Sequence, residues 1–307
     1  MLENGKETLR STLRMNVIDL MGMKKILQSI WLAICVCCAA QSWAQSALDQ
    51  ARQAYAKGDY ASALTTIEIQ ILQHESAPAL KLRADCHHKL GELSKALDDY
   101  ERAKILGYNQ PDLYLHRGIC KVSLALYESA KSDLTNYLQR KENDPIGYYW
   151  LAAAEYLTMD NKKAMRYLDE AMLLDSAYAD AYYLRGAIYA DQKKMNLALD
   201  DFEEAYRLDP TMHRAKFNVA IIMLDMGQNR NAIELLSELK LENTDFVEEI
   251  LYFKGEALFN LHDLEGACSD WVEAAQMGDH DAESNYKRLC LDKKGKPRFK
   301  RRSYYQF

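Results

Sequence analysis

The most regular pattern of apolar, small and polar residues in this chain covers residues 179–212. Two runs rich in apolar residues flank a polar break. Gly186 and Ala198 are small residues that would let two helix backbones approach closely, while Tyr189 and Phe202 would fill the space beside them. The stretch therefore predicts an antiparallel helix pair.

The same small positions recur along the chain at a spacing close to 34 residues. Counted from residue 179 as position 1, position 8 is small in seven copies and position 20 is alanine in all seven. Position 8 holds Ala51, Ala84, Gly118, Ala152, Gly186, Ala220 and Gly255, and position 20 holds Ala63, Ala96, Ala130, Ala164, Ala198, Ala232 and Ala267. One helix pair cannot bury its inner face alone. The repeats therefore predict a stacked all-α array rather than globular domains.

The copy at 179–212 resembles a tetratricopeptide repeat (TPR). The residues that carry the resemblance are Tyr182, Gly186, Tyr189, Ala198, Phe202, Ala205 and Pro210. Arg185, at position 7, departs from the family's pattern. The resemblance implies a right-handed superhelical solenoid of about seven TPR helix pairs with a C-terminal capping helix. It also implies a protein without enzymatic activity, a scaffold for protein binding.

Turn residues support the same repeat register. Gly58, Gly91 and Gly227 occupy position 15, where the first helix of a pair must end and a left-handed residue is easily accommodated. Pro111 and Pro145 open the third and fourth repeats, where a missing N–H costs nothing. These residues predict where the first helices begin and end.

The pattern after the seventh repeat is similar to a Sel1-like repeat. It consists of Ala267, Trp271, Ala274, Ala275, Gly278 and Ala282. It predicts a helix, a tight turn at Gly278 and a final capping helix over about 281–291. Cys268 and Cys290 lie at similar distances from that turn, so an antiparallel hairpin would bring them together. They are either a disulfide, which an oxidising compartment would allow, or two free thiols.

Cys86 and Cys120 share position 10 of neighbouring repeats. Adjacent helix axes are about 8–10 Å apart, whereas a disulfide needs Cα atoms within about 7 Å. These two cysteines are therefore expected to be buried apolar residues.

The N-terminal residues are typical of export. Met23, Lys24 and Lys25 precede an apolar run over 26–40, and small residues follow before residue 45. The sequence thus predicts a signal peptide over 23–44 and an upstream extension over 1–22 that lies before the true start. We expect a bacterial protein of the periplasm, or of the periplasmic face of the outer membrane.

Charge is unevenly distributed. The formal net charge is −6, but residues 293–307 contain seven Lys or Arg and no acid. Residues 45–292, the predicted solenoid, contain 27 basic and 42 acidic residues. The basic tail is predicted to be flexible, and it either folds back onto its own acidic surface or contacts anionic lipid, cell-wall polymer or an acidic partner. The acidic body argues against nucleic-acid binding.

No catalytic, metal-binding or cofactor-binding motif is present. The adjacent aspartates at 98–99 and at 200–201 recur at equivalent positions of two repeats. That recurrence indicates a solvated face of the second helix rather than a pair of general acids. We therefore expect no enzyme activity and no cofactor.

The likeness to TPR proteins implies a concave groove lined by positions 2, 5, 6, 9, 12 and 13 of the first helices. In the C-terminal half these positions are rich in aromatic residues, and the predicted partner-binding residues are Tyr149, Trp150, Tyr156, Tyr183, Phe217, Asn218, Tyr252, Phe253 and Phe259. Exposed aromatic side chains of this kind mark interaction surfaces. A register shifted by one residue would instead place several of them in the core.

The N-terminal half of the groove is predicted to be charged. Lys81 occupies a position at which one chaperone-binding TPR subfamily grips a carboxylate, but Asp85 stands where that subfamily has an asparagine. That subfamily is therefore not supported. The sequence favours a scaffold that binds a peptide segment of an envelope protein. The alternatives are a self-assembling solenoid and an accessory protein that binds polysaccharide.

Overall fold

The computed structural model describes residue 31 and residues 47–241 and 245–298. The predicted upstream extension and signal peptide lie outside the described residues, apart from Trp31, and so does the part of the predicted tail after Arg298. The described residues form helices joined by turns, with one isolated β-bridge, between Leu291 and Pro297. None of these helices combines the length and the apolar character that a membrane span requires.

The chain divides into two compact units, Met1–Ala125 and Leu126–Phe307. The helices of unit 1 are α1 (47–56), α2 (Tyr60–Gln73), α3 (Ala77–Lys89), α4 (Leu93–Ile105) and α5 (Pro111–Ser123). Those of unit 2 are α6 (Tyr127–Leu138), α7 (Pro145–Leu157), α8 (Asn161–Leu174), α9 (Ala179–Asp191), α10 (Met195–Leu208), α11 (His213–Asp225), α12 (Asn229–Leu241), α13 (Val247–Asn260), α14 (Leu264–Met277) and α15 (His280–Asn285), followed by a π-helical turn over Tyr286–Cys290. The 34-residue spacing of the repeats is unchanged at the boundary between the units, so the sequence pattern does not predict this division.

Successive helices pack against each other within each unit, as the repeat pattern predicts. In unit 1, α3 packs on α2 and on α4. In unit 2 the most extensive contacts join α7 to α8, α9 to α10 and α13 to α14. The predicted all-α fold of stacked helix pairs is confirmed.

Small residues sit where the two helices of a pair approach most closely. All seven position-20 alanines are completely buried. A Cβ atom on Gly186 would lie 3.1 Å from the Phe202 ring and 3.3 Å from the carbonyl oxygen of Ala198. The predicted contact between positions 8 and 20 is therefore present, and it requires small side chains.

Position 15 has a left-handed backbone in all seven repeats. The glycines predicted for this role, Gly58, Gly91 and Gly227, have φ of 80°, 78° and 77°. The other four repeats place a residue with a side chain at the same point, and these residues are Ala125, Met159, Lys193 and His262, with φ between 59° and 65°. Since a Cβ atom clashes with the backbone in this conformation, the four turns store strain.

Replacing Met159 with glycine should relieve that strain. Its side chain is 84% exposed, so little packing is lost. We expect the free energy of unfolding to rise by about 1 kcal/mol, the usual cost of a left-handed non-glycine residue less the added entropy of glycine in the unfolded chain. Urea unfolding followed by circular dichroism would measure it. Glu170→Gly, at an exposed position within α8, is the control and should lower stability by about 1 kcal/mol. A loss of stability in Met159→Gly would contradict the assignment of strain.

Buried ion pairs connect the two helices of several repeats. Arg83 donates two hydrogen bonds of 2.6 Å to Asp99, and Arg185 donates two of 2.8 Å to Asp201. Both aspartates are buried, at 7% and 6% exposure. The prediction of a solvated face is therefore wrong for these two residues, because positions 7 and 23 of one repeat meet inside the helix pair. Arg185, which departs from the TPR pattern, is the partner of Asp201 in this ion pair.

The C-terminal cap is closed by a disulfide between Cys268 and Cys290, whose Cα atoms are 5.6 Å apart. Gly278 adopts a left-handed φ of 109° and ends α14 where the turn was predicted. Cys86 and Cys120 are free and buried, as expected.

The first residues of the predicted flexible tail, 293–298, are ordered. Residues 291–298 form a hairpin in which the Asp292 carboxylate accepts hydrogen bonds of 2.8 Å from the backbone N–H groups of Lys294 and Lys296. The Arg298 backbone N–H donates to the carbonyl oxygen of Cys290 at 2.8 Å. These bonds hold the first residues of the basic segment against the cap.

Candidate functional site

The predicted partner-binding residues lie on α7, α9, α11 and α13, the first helices of four successive repeats in unit 2. We call the side of these helices that carries positions 2, 5, 6, 9, 12 and 13 the first-helix surface. The starts of the helices fix its register: Pro145 opens α7, and the Asp144 carboxylate accepts a hydrogen bond of 2.9 Å from the backbone N–H of Ile146. Equivalent residues of successive repeats therefore lie side by side.

Polar contacts join each first helix to the next. The Tyr156 hydroxyl donates to Asp191 at 2.8 Å, and the Asn218 amide donates to the Tyr183 hydroxyl at 3.3 Å. Arg214 donates two hydrogen bonds, of 2.7 and 2.8 Å, to Glu249. All three contacts connect residues 35 apart in sequence. The first-helix surface is thus continuous, because hydrogen bonds join each first helix to the next.

The N-terminal end of the surface is an aromatic cluster. The Tyr149 ring centre lies 5.3 Å from that of Trp150 and 5.3 Å from that of Tyr178, both edge-on. All three residues are half-buried. Burial raises the pKa of Tyr149 to about 12. Tyr178 precedes α9 and was not predicted, because it lies outside the groove positions of the repeat.

Phe217 was predicted to lie on the exposed groove surface, but this prediction is wrong because its side chain is buried. It is only 4% exposed, and its ring packs edge-on against Phe246 and Phe253 at 5.2 and 5.7 Å. Position 5 of this repeat points into the junction between α11 and α13. Phe253 is half-buried beside it, and its other edge meets the Tyr252 ring at 4.9 Å. Tyr252 and Phe253 therefore carry the aromatic character of this end.

The remaining predicted residues differ in their surroundings. Tyr156, Tyr183 and Asn218 are half-buried on the first-helix surface and hold the contacts described above. The Tyr183 ring also contacts Phe202 of its own repeat, at 5.4 Å. Phe259 is 40% exposed and lies 5.7 Å from the Trp271 ring of α14. Among the described contacts, those of Phe259 join it to the second helix of its own repeat and not to the other residues of the first-helix surface.

Carboxylates interleave with the aromatic side chains. Position 2, 9 or 13 of the first helices in unit 2 holds Asp180, Asp191, Asp225, Glu249 and Glu256, whereas Arg214 is the one basic residue at the surface positions. Burial raises the pKa of Asp180 and of Glu256 above the ordinary values of these side chains. The repeat register already placed these acids on the surface, but the sequence reasoning considered only aromatic residues. The arrangement suits a ligand with apolar and cationic groups.

The corresponding first helices of unit 1 carry a different, internally satisfied cluster. The Lys81 ammonium lies 2.8 Å from Asp85 and 2.5 Å from Asp112. Asp85 also accepts a hydrogen bond of 2.8 Å from the Tyr100 hydroxyl and lies 2.9 Å from His116 Nδ1. Although burial alone would lower it, the pKa of Lys81 is raised, chiefly by Asp85 and by its bond to Asp112. The positive charge of Lys81 is therefore balanced by carboxylates of the protein itself and is not available to a ligand's carboxylate.

Histidine, cysteine and acidic side chains do not gather into metal-binding groups within the described ranges.

Two segments match models of known families. Residues 48–111 and residues 179–212 each match a model described as a tetratricopeptide repeat. Among characterised proteins, a DnaJ protein homologue of Arabidopsis thaliana is 25% identical over an alignment 167 residues long that covers 49% of this chain and 34% of that protein. A UDP-N-acetylglucosamine–peptide N-acetylglucosaminyltransferase of Giardia intestinalis is 28% identical over 92 residues, 30% of this chain and 6% of that enzyme. The chain thus spans about a third or less of these relatives.

Solved structures resemble a larger share of the chain. A tetratricopeptide repeat protein from Parabacteroides merdae covers 80% of this chain and 97% of its own, with 15% identity and a TM-score of 0.60. The APC/C hetero-tetramer Cut9-Hcn1 covers 78% of this chain and 48% of its own, with 13% identity and a TM-score of 0.64. These similarities establish the fold alone. The described part of the chain has a helical-repeat fold, and residues 48–111 and 179–212 are tetratricopeptide repeats.

Proposed function

We propose that this protein is a non-catalytic scaffold that binds a peptide segment of another cell-envelope protein on the first-helix surface of unit 2. TPR proteins are generally scaffolds for protein–protein interaction. The observation that carries the proposal is the row of half-buried aromatic side chains on α7, α9 and α13, with carboxylates between them and hydrogen bonds that join each first helix to the next. A preorganised surface of this kind loses little side-chain entropy when it binds. The envelope location rests on the signal-peptide pattern at 23–44.

The geometry favours a peptide over a polysaccharide. Sugar rings stack on flat aromatic faces, but the rings of this surface meet each other at interplanar angles of 65° to 78°. They do not form one flat platform. An apolar surface of this kind suits the apolar side chains of a peptide in an extended or helical conformation.

Charge argues against pairing of this surface with the same surface of a second copy. Five carboxylates and one arginine would face an identical set. Like charges brought together at an interface are costly, so a partner of different charge is favoured.

Tyr252→Ala tests the proposal. The probe is a panel of fluorescent 15-residue peptides with aromatic residues spaced four apart and with either basic or acidic flanks, measured by anisotropy against the full chain. We expect basic-flanked members to bind, and Tyr252→Ala to weaken the tightest of them about tenfold, because a half-buried aromatic anchor contributes about 1–2 kcal/mol to binding. Only a small loss of folding stability should accompany it.

Leu173→Ala is the matched control, since Leu173 is 81% exposed on α8, a second helix. It should leave peptide affinity unchanged. Equal affinity in wild type and Tyr252→Ala, or unfolding of Tyr252→Ala, would remove the first-helix surface as the binding site.

A further inference from the structure

The basic C-terminal segment and the end of unit 2 from which it emerges have opposite charges. Residues 245–291 contain eleven Asp or Glu and three Lys or Arg, a formal charge of −8. Residues 293–307 contain seven Lys or Arg and no acid. At physiological ionic strength charges interact over about 8 Å, so this complementarity matters most where the segment lies close to the acidic helices.

The hairpin that ends the described chain brings the segment close to them. The Cys268–Cys290 disulfide and the bond between Arg298 and Cys290 fix the chain at the cap. Five residues before Cys290, the Asn285 amide donates to Glu256 on α13 at 2.7 Å. Arg298 is thus bonded to a residue that lies only five positions, roughly one and a half helical turns, after the residue that contacts Glu256. The nine residues that follow it in the sequence can span about 30 Å when extended.

The side chains of those nine residues match the surface in kind. They include Lys300, Arg301 and Arg302, and the aromatic residues Phe299, Tyr304, Tyr305 and Phe307. Burial is the main cause of the raised pKa of Tyr252; the carboxylates of Glu256, Asp281 and Asp279 add to it, and a nearby cation, Arg288, opposes it. Arginine pairs with carboxylates and stacks on aromatic rings, so one segment can satisfy both features of the surface.

We propose that residues 299–307 bind in cis to the C-terminal end of the first-helix surface, around Tyr252 and Glu256, and compete there with the partner peptide. This inference rests on the proposed function, since it assigns the same surface a basic, aromatic ligand class and a built-in competitor. The tail raises the partner concentration needed for binding, because a short tether gives it an effective concentration in the millimolar range. A partner must therefore be basic and aromatic itself, or bind more tightly than the tail does.

The test uses the full chain and a fluorescent peptide of residues 293–307 as the probe. In one protein Lys300, Arg301 and Arg302 are replaced by glutamine, which weakens the cis competitor. We expect this variant to bind the probe at least tenfold more tightly than wild type does. Adding Glu256→Gln, which keeps a hydrogen-bond acceptor for Asn285, should weaken probe binding about fivefold. Glu170→Gln, on the exposed side of α8, should not change it. Equal probe affinity in wild type and tail variant would overturn the inference.

Two further readouts separate other destinations of the tail. Light scattering across a hundredfold concentration range should report monomers, and dimers that disappear in the tail variant would show exchange between copies instead. Vesicles of phosphatidylcholine and phosphatidylglycerol should bind the free probe peptide more tightly than the wild-type chain. Equal binding would mean that the tail faces outward. If the peptide panel still binds in a Tyr252-dependent manner while the tail probe does not, the proposed function stands and this inference fails.

Discussion

Gly255→Ala is expected to lower the free energy of unfolding by about 2–3 kcal/mol, the upper range for overpacking a well-packed core. A Cβ atom at this position would lie 2.5 Å from Nε1 and 2.6 Å from Cδ1 of Trp271. Trp271 cannot retreat, because it is completely buried and its Nε1 donates a hydrogen bond of 3.2 Å to the carbonyl oxygen of Tyr252. Relief of the clash would require α13 and α14 to separate. Urea unfolding followed by circular dichroism would give the change.

Gly186→Ala is the control, since it makes the same substitution at position 8 of another repeat. There the nearest atoms, on the Phe202 ring, are 3.1 Å away and belong to a side chain that is 2% exposed. A shift of a few tenths of an ångström suffices, and alanine gains up to about 1 kcal/mol over glycine in a helix. We therefore expect a net loss below about 1 kcal/mol. Equal losses in the two variants would show that Trp271 is not held as firmly as its contacts indicate.

Asp201→Ala should cost about 3 kcal/mol, because it leaves Arg185 without the carboxylate that binds its guanidinium inside the helix pair. The two side chains are only 8% and 23% exposed. Asp200→Ala is the matched control: the adjacent aspartate is exposed, and its loss should change stability by less than about 0.5 kcal/mol. Comparable effects of the two substitutions would contradict the burial of the ion pair.

The double variant Arg185→Val with Asp201→Leu tests the interpretation further. It copies the sixth repeat, in which the same positions hold Val219 and Leu235, members of one apolar cluster. Buried ion pairs are often replaced by apolar residues at little cost, so the double variant should regain more than half of the stability that Asp201→Ala loses. A double variant as unstable as Asp201→Ala would mean that the ion pair makes a net contribution to stability that apolar packing at these positions does not replace.

The sequence predicted the features that every repeat shares. Alanine at position 20 and the glycines at position 15 each answer a backbone requirement, so they recur and reveal the register. The four strained turns could not be predicted from residue type, since residues such as Met159 and Lys193 rarely adopt a left-handed backbone. Only the alignment with Gly58 and Gly91 identifies them.

Features that vary between repeats were harder to predict. Phe217 and Tyr252 occupy the same position 5, yet Phe217 is buried by Phe246 and Phe253 while Tyr252 is only half-buried. The difference depends on which residues the next repeat supplies, and the register alone does not contain that information. Asp201 was misassigned for a related reason, because its burial depends on Arg185, a residue that had been noted only as a departure from the family pattern.

Two sets of polar contacts in this protein differ in their sequence separation. The ion pairs Arg83–Asp99, Arg185–Asp201 and Lys254–Asp270 join residues 16 apart, within a single hairpin. The bonds along the first-helix surface join residues 35 apart, in adjacent hairpins. A hairpin transplanted into another array therefore brings its own interior with it, but it meets new neighbours across the ligand surface. Recombination of whole hairpins would diversify what such a protein recognises while preserving the ion pairs inside each hairpin.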